Sequence, residues 1–248
     1  MDMDHYYSRL QETSLEGFRR FNQSSQVETQ QAAFSAGTVD TTVIRGNLLE
    51  KAATVRIRLT TKNPETGEDT RFDVFQIKVY PSNPKIPILL FNLENRVTRE
   101  DRFGGFLDVA PVAASPADLS CLTDGIQLLS EEYAIDYEPL RKRVVNMYKR
   151  DQWDSAVNGA IGIRLELTAE QFDFVSVAAL KWIEWYFAIV DTKRNAPYTI
   201  DDTEVMNKVR ARILEFYMLK DMSFQIIQKL GVPLTIMTGA HFPPTLHY

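Results

Sequence analysis

Histidine and cysteine, which supply most transition-metal ligands and nucleophilic dyads, are almost missing from this chain. Three histidines, His5, His241 and His247, stand at the two ends, and Cys121 is the single cysteine. No HExxH, no facial-triad spacing and no cysteine pair can be drawn from them. No Ser–His–Asp or Cys–His arrangement can be drawn either. The histidines read as surface residues on mobile ends, and no metal site is expected. A lone cysteine excludes an intrachain disulfide and fits a cytoplasmic chain. Long apolar runs are also missing. The nearest, FVSVAALKWIEWYFAIV, is broken by Lys181 and Glu184, and a membrane span needs about 18 uninterrupted apolar residues. The opening MDMDHYYSRL has no basic region followed by an apolar run, so no signal peptide is expected. Positive charge is short as well. With 28 Lys and Arg against 33 Asp and Glu, the net charge is −5, and no nucleic-acid partner is expected. Glycine loops of the phosphate-cradling kind are absent, since RFGGF has neither the GxGxxG nor the GxxxxGK spacing.

What remains is an ordinary globular composition, 44% hydrophobic and 25% charged over 248 residues, ample for one large domain with a real core. Residues 4–35 are polar, with Tyr7, Leu10, Leu15, Phe18 and Phe21 at loose helical spacing, and predict a surface helix or two. The N-terminal helical region is bounded at 1–37 and the core at 38–244. VDTTVIRG and ATVRIRLTT follow as strands, the second alternating Val55, Ile57 and Leu59 with Arg56, Arg58 and Thr60. NPETGEDT is a turn, and RFDVFQIKVY completes a hairpin whose apolar set is mainly Phe75, Ile77 and Val79. KIPILLFNLEN and GGFLDVAPVAA are two further strands. SPADLSCLTDGIQLLSEEYA predicts a helix with Ser115 as cap and Pro116 at the first helical position. DYEPLRKRVVNMYKRD predicts a second, and GAIGIRLEL returns as a strand. Thr168 and Gln171 fit a capping box before a long, largely buried helix, and DTEVMNKVRARILEFYMLKD predicts another. Hairpins early and helices later imply an α+β fold, an antiparallel sheet covered by helices.

One acid stands out. In RFGGFLDVAP (102–111), Asp108 sits among apolar residues. It reads either as an edge-strand or capping carboxylate, or as a functional group. The second reading uses Gly104 and Gly105, which let a ligand approach the strand; partial desolvation would then raise the acid's pKa toward neutrality. Arg210 and Arg212 lie on one helix and point in different directions, either as surface charges or with one clamping a carboxylate. Asn92 and Glu94 end the ILLFNLEN strand, where pocket residues often sit. The aromatic run KWIEWYF reads as core.

Six stretches carry a resemblance: LLEKAATV (48–55), IPILLFNLEN (86–95), FGGFLDVAP (103–111), GAIGI (159–163), APYT (196–199) and RARILEF (210–216), followed by FPP (242–244). In order and approximate spacing they resemble landmarks of aerobic, oxygen-dependent coproporphyrinogen III oxidase, over roughly residues 38–244. The resemblance implies a broad antiparallel β-sheet sandwiched between layers of α-helices, and a homodimer. It also implies oxidative decarboxylation of propionate side chains by O2 without metal or organic cofactor, the pyrrole-rich substrate supplying the electrons. Asp108 occupies the place of an aspartate that meets pyrrole N–H groups, and Arg210 and Arg212 match family arginines. Phe106, beside Gly105, replaces a glycine and would narrow the pocket. Where the family has His-Phe-Asn-Tyr-Arg, this chain has Leu90-Phe91-Asn92-Leu93-Glu94, losing the histidine and reversing a charge. The family's basic stretch before GAIGI is here WDSAVN.

These departures imply a relative that kept the scaffold and changed its substrate. The expectation is an oxygen-dependent, cofactor-free oxidase or oxygenase acting on a small electron-rich heteroaromatic, pyrrole- or indole-like, and not on coproporphyrinogen. Asp108 would be its base or N–H acceptor, Asn92 and Glu94 would orient the substrate, and Arg210 or Arg212 would hold a carboxylate. The alternatives are a non-catalytic tetrapyrrole-binding protein, or an oxygen-independent decarboxylase or cyclase on the same scaffold.

Overall fold

A computed structural model describes residues 3–23, 25–62, 67–97, 102–148, 161–219 and 221–244. Seven strands form one sheet: β1 (Gln26–Phe34), β2 (Gly37–Arg45), β3 (Leu49–Lys62), β4 (Asp69–Pro81), β5 (Ile88–Val97), β6 (Arg102–Ala110) and β7 (Ile163–Thr168). They lie side by side in chain order, every pair antiparallel. The β3–β4 hairpin holds register from Lys62↔Asp69 to Ala52↔Val79; residues 63–66 of its expected turn lie outside the described residues.

Strand parity decides which side chains meet which layer. On β4 to β6, Phe75, Ile77, Val79, Leu89, Phe91, Leu93, Phe103, Leu107 and Val109 point to one face and form the large core. Three helices cover it: α1 (Met3–Phe21), α2 (Pro116–Glu132) and α4 (Phe172–Lys193). A fourth, α3 (Tyr137–Tyr148), packs beside β7. The KWIEWYF run is core as expected, with Trp182 and Tyr186 fully buried. Ser115 caps α2 in a reciprocal box with Asp118, and Thr168 and Gln171 form the second box ahead of a single 3₁₀ turn and α4. The opposite face is covered by α5 (Ile200–Leu219), α6 (Met222–Lys229) and α7 (Leu234–His241).

Two expectations are corrected. The polar stretch 4–35 is helical only as α1; Gln26–Phe34 is an edge strand whose ladder with β2 runs from Gln26↔Arg45 to Phe34↔Gly37. Pairing with a neighbour overrides a composition of Gln, Glu and Ala that favours helix. The sheet therefore begins before the boundary drawn at residue 37. Second, α6 and α7 are not expected from the sequence, yet they seal the face on which β4 carries its polar residues.

Candidate active site

That second face of β4 presents Gln76, Lys78 and Tyr80, flanked by Leu90, Asn92 and Glu94 of β5 and Gly104, Phe106 and Asp108 of β6. In an uncovered sheet these would be wet positions. Here Gln76, Lys78, Asn92 and Asp108 are all buried. A cavity of about 430 Å³ opens over this patch. Its floor comes from β4 to β7 and includes Lys78, Asn92, Glu94, Gly104, Gly105 and Phe106. Its roof is Met147 of α3, Phe216 and Tyr217 of α5, and Asp221.

The glycines shape it differently. Gly105 has φ +102°, and a Cβ there would fall 2.2 Å from the Asn92 carbonyl oxygen, so only glycine fits. A Cβ on Gly104 would meet Arg96 and Glu94 at ordinary contact distance. Gly104 is thus where a side chain could grow into the space. Phe106 lines the cavity, and its ring centre lies 5.1 Å from the Lys78 Nζ.

A buried hydrogen-bonded row leads from the cavity wall to the C-terminal helix. Asn92 and Gln76 join through their amides at 3.1 Å, and Gln76 meets His241 Nε2. The other ring nitrogen, Nδ1, lies 3.0 Å from the Met237 carbonyl. Burial pushes the His241 ring down to about 3, with Lys78 nearby adding to the effect, so the ring is neutral and carries one N–H. Gln76 Nε2 donates to Asn92 Oδ1, and Gln76 Oε1 faces His241 Nε2. His241, expected on a mobile surface end, is instead buried at the end of this row. Nothing in the sequence ties it to Gln76, 165 residues away.

The sequence-picked residues separate. Asn92, Glu94, Gly105 and Phe106 line the cavity together, with Glu94 held by the Arg96 Nε. Asp108 does not line it. Its Oδ1 accepts the backbone N–H of Ile161 at 2.8 Å and of Gly162 at 2.9 Å, fixing the entry to β7. Burial raises its pKa to about 7, against these hydrogen bonds, which lower it. The shift expected for Asp108 is present, but the carboxylate spends its acceptor on backbone beneath the cavity rather than facing the space beyond the glycines. Arg210 also lies elsewhere: buried, it donates to Glu50 at 2.7 Å and to the Pro81 carbonyl at 2.9 Å, tying α5 to the sheet. Arg212 is half-exposed beside Glu215. Neither arginine lines the cavity as a clamp. The cations that line it are Lys78, Arg96, Arg102 and Arg164, and of these Lys78 alone is buried. The stretch WDSAVN lies outside the described residues.

A larger cavity, about 770 Å³, opens beyond the start of α1 and of α4. None of the sequence-picked residues lines it, and its Asp4 and Asp73 are tied to Arg56. Among the described residues no three His, Cys, Asp or Glu side chains come together as a metal site, and no helix is long and apolar enough to cross a membrane.

The chain is similar to proteins of known kind. A family model described as coproporphyrinogen III oxidase matches residues 5–231. Oxygen-dependent coproporphyrinogen-III oxidases from two strains of Coxiella burnetii, Dugway and RSA 331, are 24% and 23% identical over 226 residues, spanning 86% of this chain and 71% of theirs. The fold is shared with phytochromobilin synthase from tomato, solved in complex with biliverdin, at TM-score 0.61 and 12% identity, over 94% of this chain and 80% of that one.

Proposed function

The chain belongs to the coproporphyrinogen III oxidase family, and on that premise we propose that it is an oxygen-dependent oxidase of a small, electron-rich heteroaromatic, pyrrole- or indole-like, and not of coproporphyrinogen. The observation that carries this is the 430 Å³ cavity over the glycine pair, walled by Phe106, Phe216 and Tyr217. Its volume lies toward the low end of the range of about 300–1,000 Å³ usual for small-molecule sites. Phe106 occupies room that a glycine would leave to a macrocycle. Aromatic walls suit a planar ring, and Asn92 supplies a polar group beside them. Glu94, with Arg96 beside it, completes the polar side. Asp108 enters as a positioning residue that holds the β6–β7 corner.

The chemistry balances without a further reductant. Two electrons and two protons leave the substrate and O2 departs as hydrogen peroxide; where a carboxylate is lost, CO2 carries it away. The tomato structure, with biliverdin bound to the same fold, supports a pyrrolic ligand. A homodimer in the cytoplasm is part of the proposal, tested by light scattering and by fractionating the host.

The experiment is to incubate the purified protein with small-molecule extract of its host in air and under nitrogen, comparing masses. A species that changes only in air, and is untouched by a Gly104→Leu variant whose side chain fills the cavity, is the expected result. Equal turnover under nitrogen overturns it in favour of a non-oxidative decarboxylase or cyclase. A second reading, a binding protein without turnover, draws on the buried Leu90 where the family has histidine; it requires a ligand retained unaltered in air.

A further inference from the structure

Lys78 is 1% exposed, yet its ammonium has no compensating partner of the usual kind. Nζ sits over two rings, 5.1 Å from the centre of Phe106 and 5.5 Å from that of Tyr217. Among the described residues none makes a hydrogen bond or an ion pair with it. Asp221 and Asp108 act on it only through space. Two ring faces stabilise a cation modestly, but they accept none of its three N–H bonds, and a buried charge without a hydrogen-bonded counter-charge is costly.

The cavity's other cations are at its rim. Arg96, Arg102 and Arg164 are exposed. Arg96 is occupied by Glu94, and Glu166 by Arg143. Lys78 is therefore the one buried cation of the described lining, and it lies among aromatic rings. A ligand moving inward meets aromatic walls, the half-buried Glu94 and Asp221, and the one buried ammonium of the described lining.

We propose that Lys78 is the anchor for one carboxylate on an aromatic ligand, so that the cavity selects a planar, singly carboxylated heteroaromatic. This rests on the reading of the cavity as the ligand site, and it gives Lys78 the clamp role that Arg210 and Arg212 do not fill. The carboxylate would accept the idle N–H bonds of Nζ while the ring lies against Phe106 and Phe216. A second or third carboxylate would find no further buried cation in the described lining.

The test is binding under nitrogen, so that it is independent of whether oxygen is consumed. Indole-2-carboxylate and the uncharged indole-2-carboxamide are titrated at pH 7 by ligand-observed NMR, which reads millimolar affinities. Wild type should bind the carboxylate at least tenfold tighter, and Lys78→Met should bind both equally. Lys78→Gln, which keeps polarity without charge, serves as a second variant should Met disturb packing. No preference in wild type, an undiminished preference in both variants, or no binding of either probe at millimolar concentration overturns the proposal. Gly104→Leu separates the two readings. Probe binding unaffected by it means the cavity is not the site. Binding lost in Gly104→Leu while the preference survives at Lys78→Met means the cavity is the site but Lys78 is not its anchor.

Discussion

Asp108 shows what a single buried carboxylate costs. Its pKa in the folded protein is about 7 against an ordinary 3.8. The folded state therefore holds this proton more tightly than the unfolded chain between about pH 4 and 7, and stability from this group is lost as pH rises through that window. Asn keeps an oxygen for the Ile161 and Gly162 amides and never ionises. Asp108→Asn should match wild type in stability near pH 4 and exceed it above pH 7, by up to about 4 kcal/mol at three shifted units; denaturant melts at both pH values check it. A variant less stable than wild type at pH 8 would mean the anion is needed. His241, held down at about 3, has the opposite slope: its contribution is lost as pH falls from 6.5 toward 3. The sequence made the acid conspicuous, because charge inside an apolar strand is rare. It could not say where the carboxylate points, because that depends on Ile161 and Gly162, brought in from 53 and 54 residues away.

At the scale of elements, the hairpins and capping boxes were legible because strand alternation and cap chemistry are local. The polar face of β4 was legible as a pattern and misleading as an environment. Gln76 and Lys78 would be wet on a bare sheet, and α6 and α7, eight residues each, carry too little periodicity to announce a covering layer. How α7 is held follows from Lys51 and Tyr80. The Lys51 Nζ donates to the Gly239 carbonyl at 2.9 Å and to that of Phe242, and the Tyr80 hydroxyl donates to that of His241. Carbonyls at a helix C-terminus need such donors. Lys51→Met removes two of these bonds without adding bulk. Hydrogen exchange should accelerate through α7 and leave α1 and α4 unchanged; unchanged protection of α7 would show that apolar packing alone docks it.

For the whole molecule, the buried lysines set an unusual alkaline limb. Burial lowers Lys51 to about 7 and Lys78 to about 8. Between those values and 10.5 the unfolded chain binds more protons than the folded one, so stability rises with pH. Above about pH 10 the buried tyrosines Tyr7, Tyr80 and Tyr186, all raised by burial, reverse the trend as the unfolded chain ionises first. The melting temperature should climb from pH 8 to 10 and then fall, and Lys51→Met/Lys78→Met should flatten the climb. A monotonic decline from pH 8 in wild type would refute the assignment.

The meander order of the sheet also has a consequence in time. From β1 to β6 each strand pairs with its sequence neighbour across a short connection, so this part of the sheet can grow by successive hairpins at small entropic cost, whereas β7 joins only across the segment that carries α2 and α3. The lining from β4 to β6 belongs to this cheap phase. The roof does not: His241 reaches Gln76 across 165 residues and Lys51 reaches Gly239 across 188. During synthesis α7 must leave the ribosome before either contact can form. Until then a nascent chain would present its glycine pair and Lys78 on a sheet face still without α7.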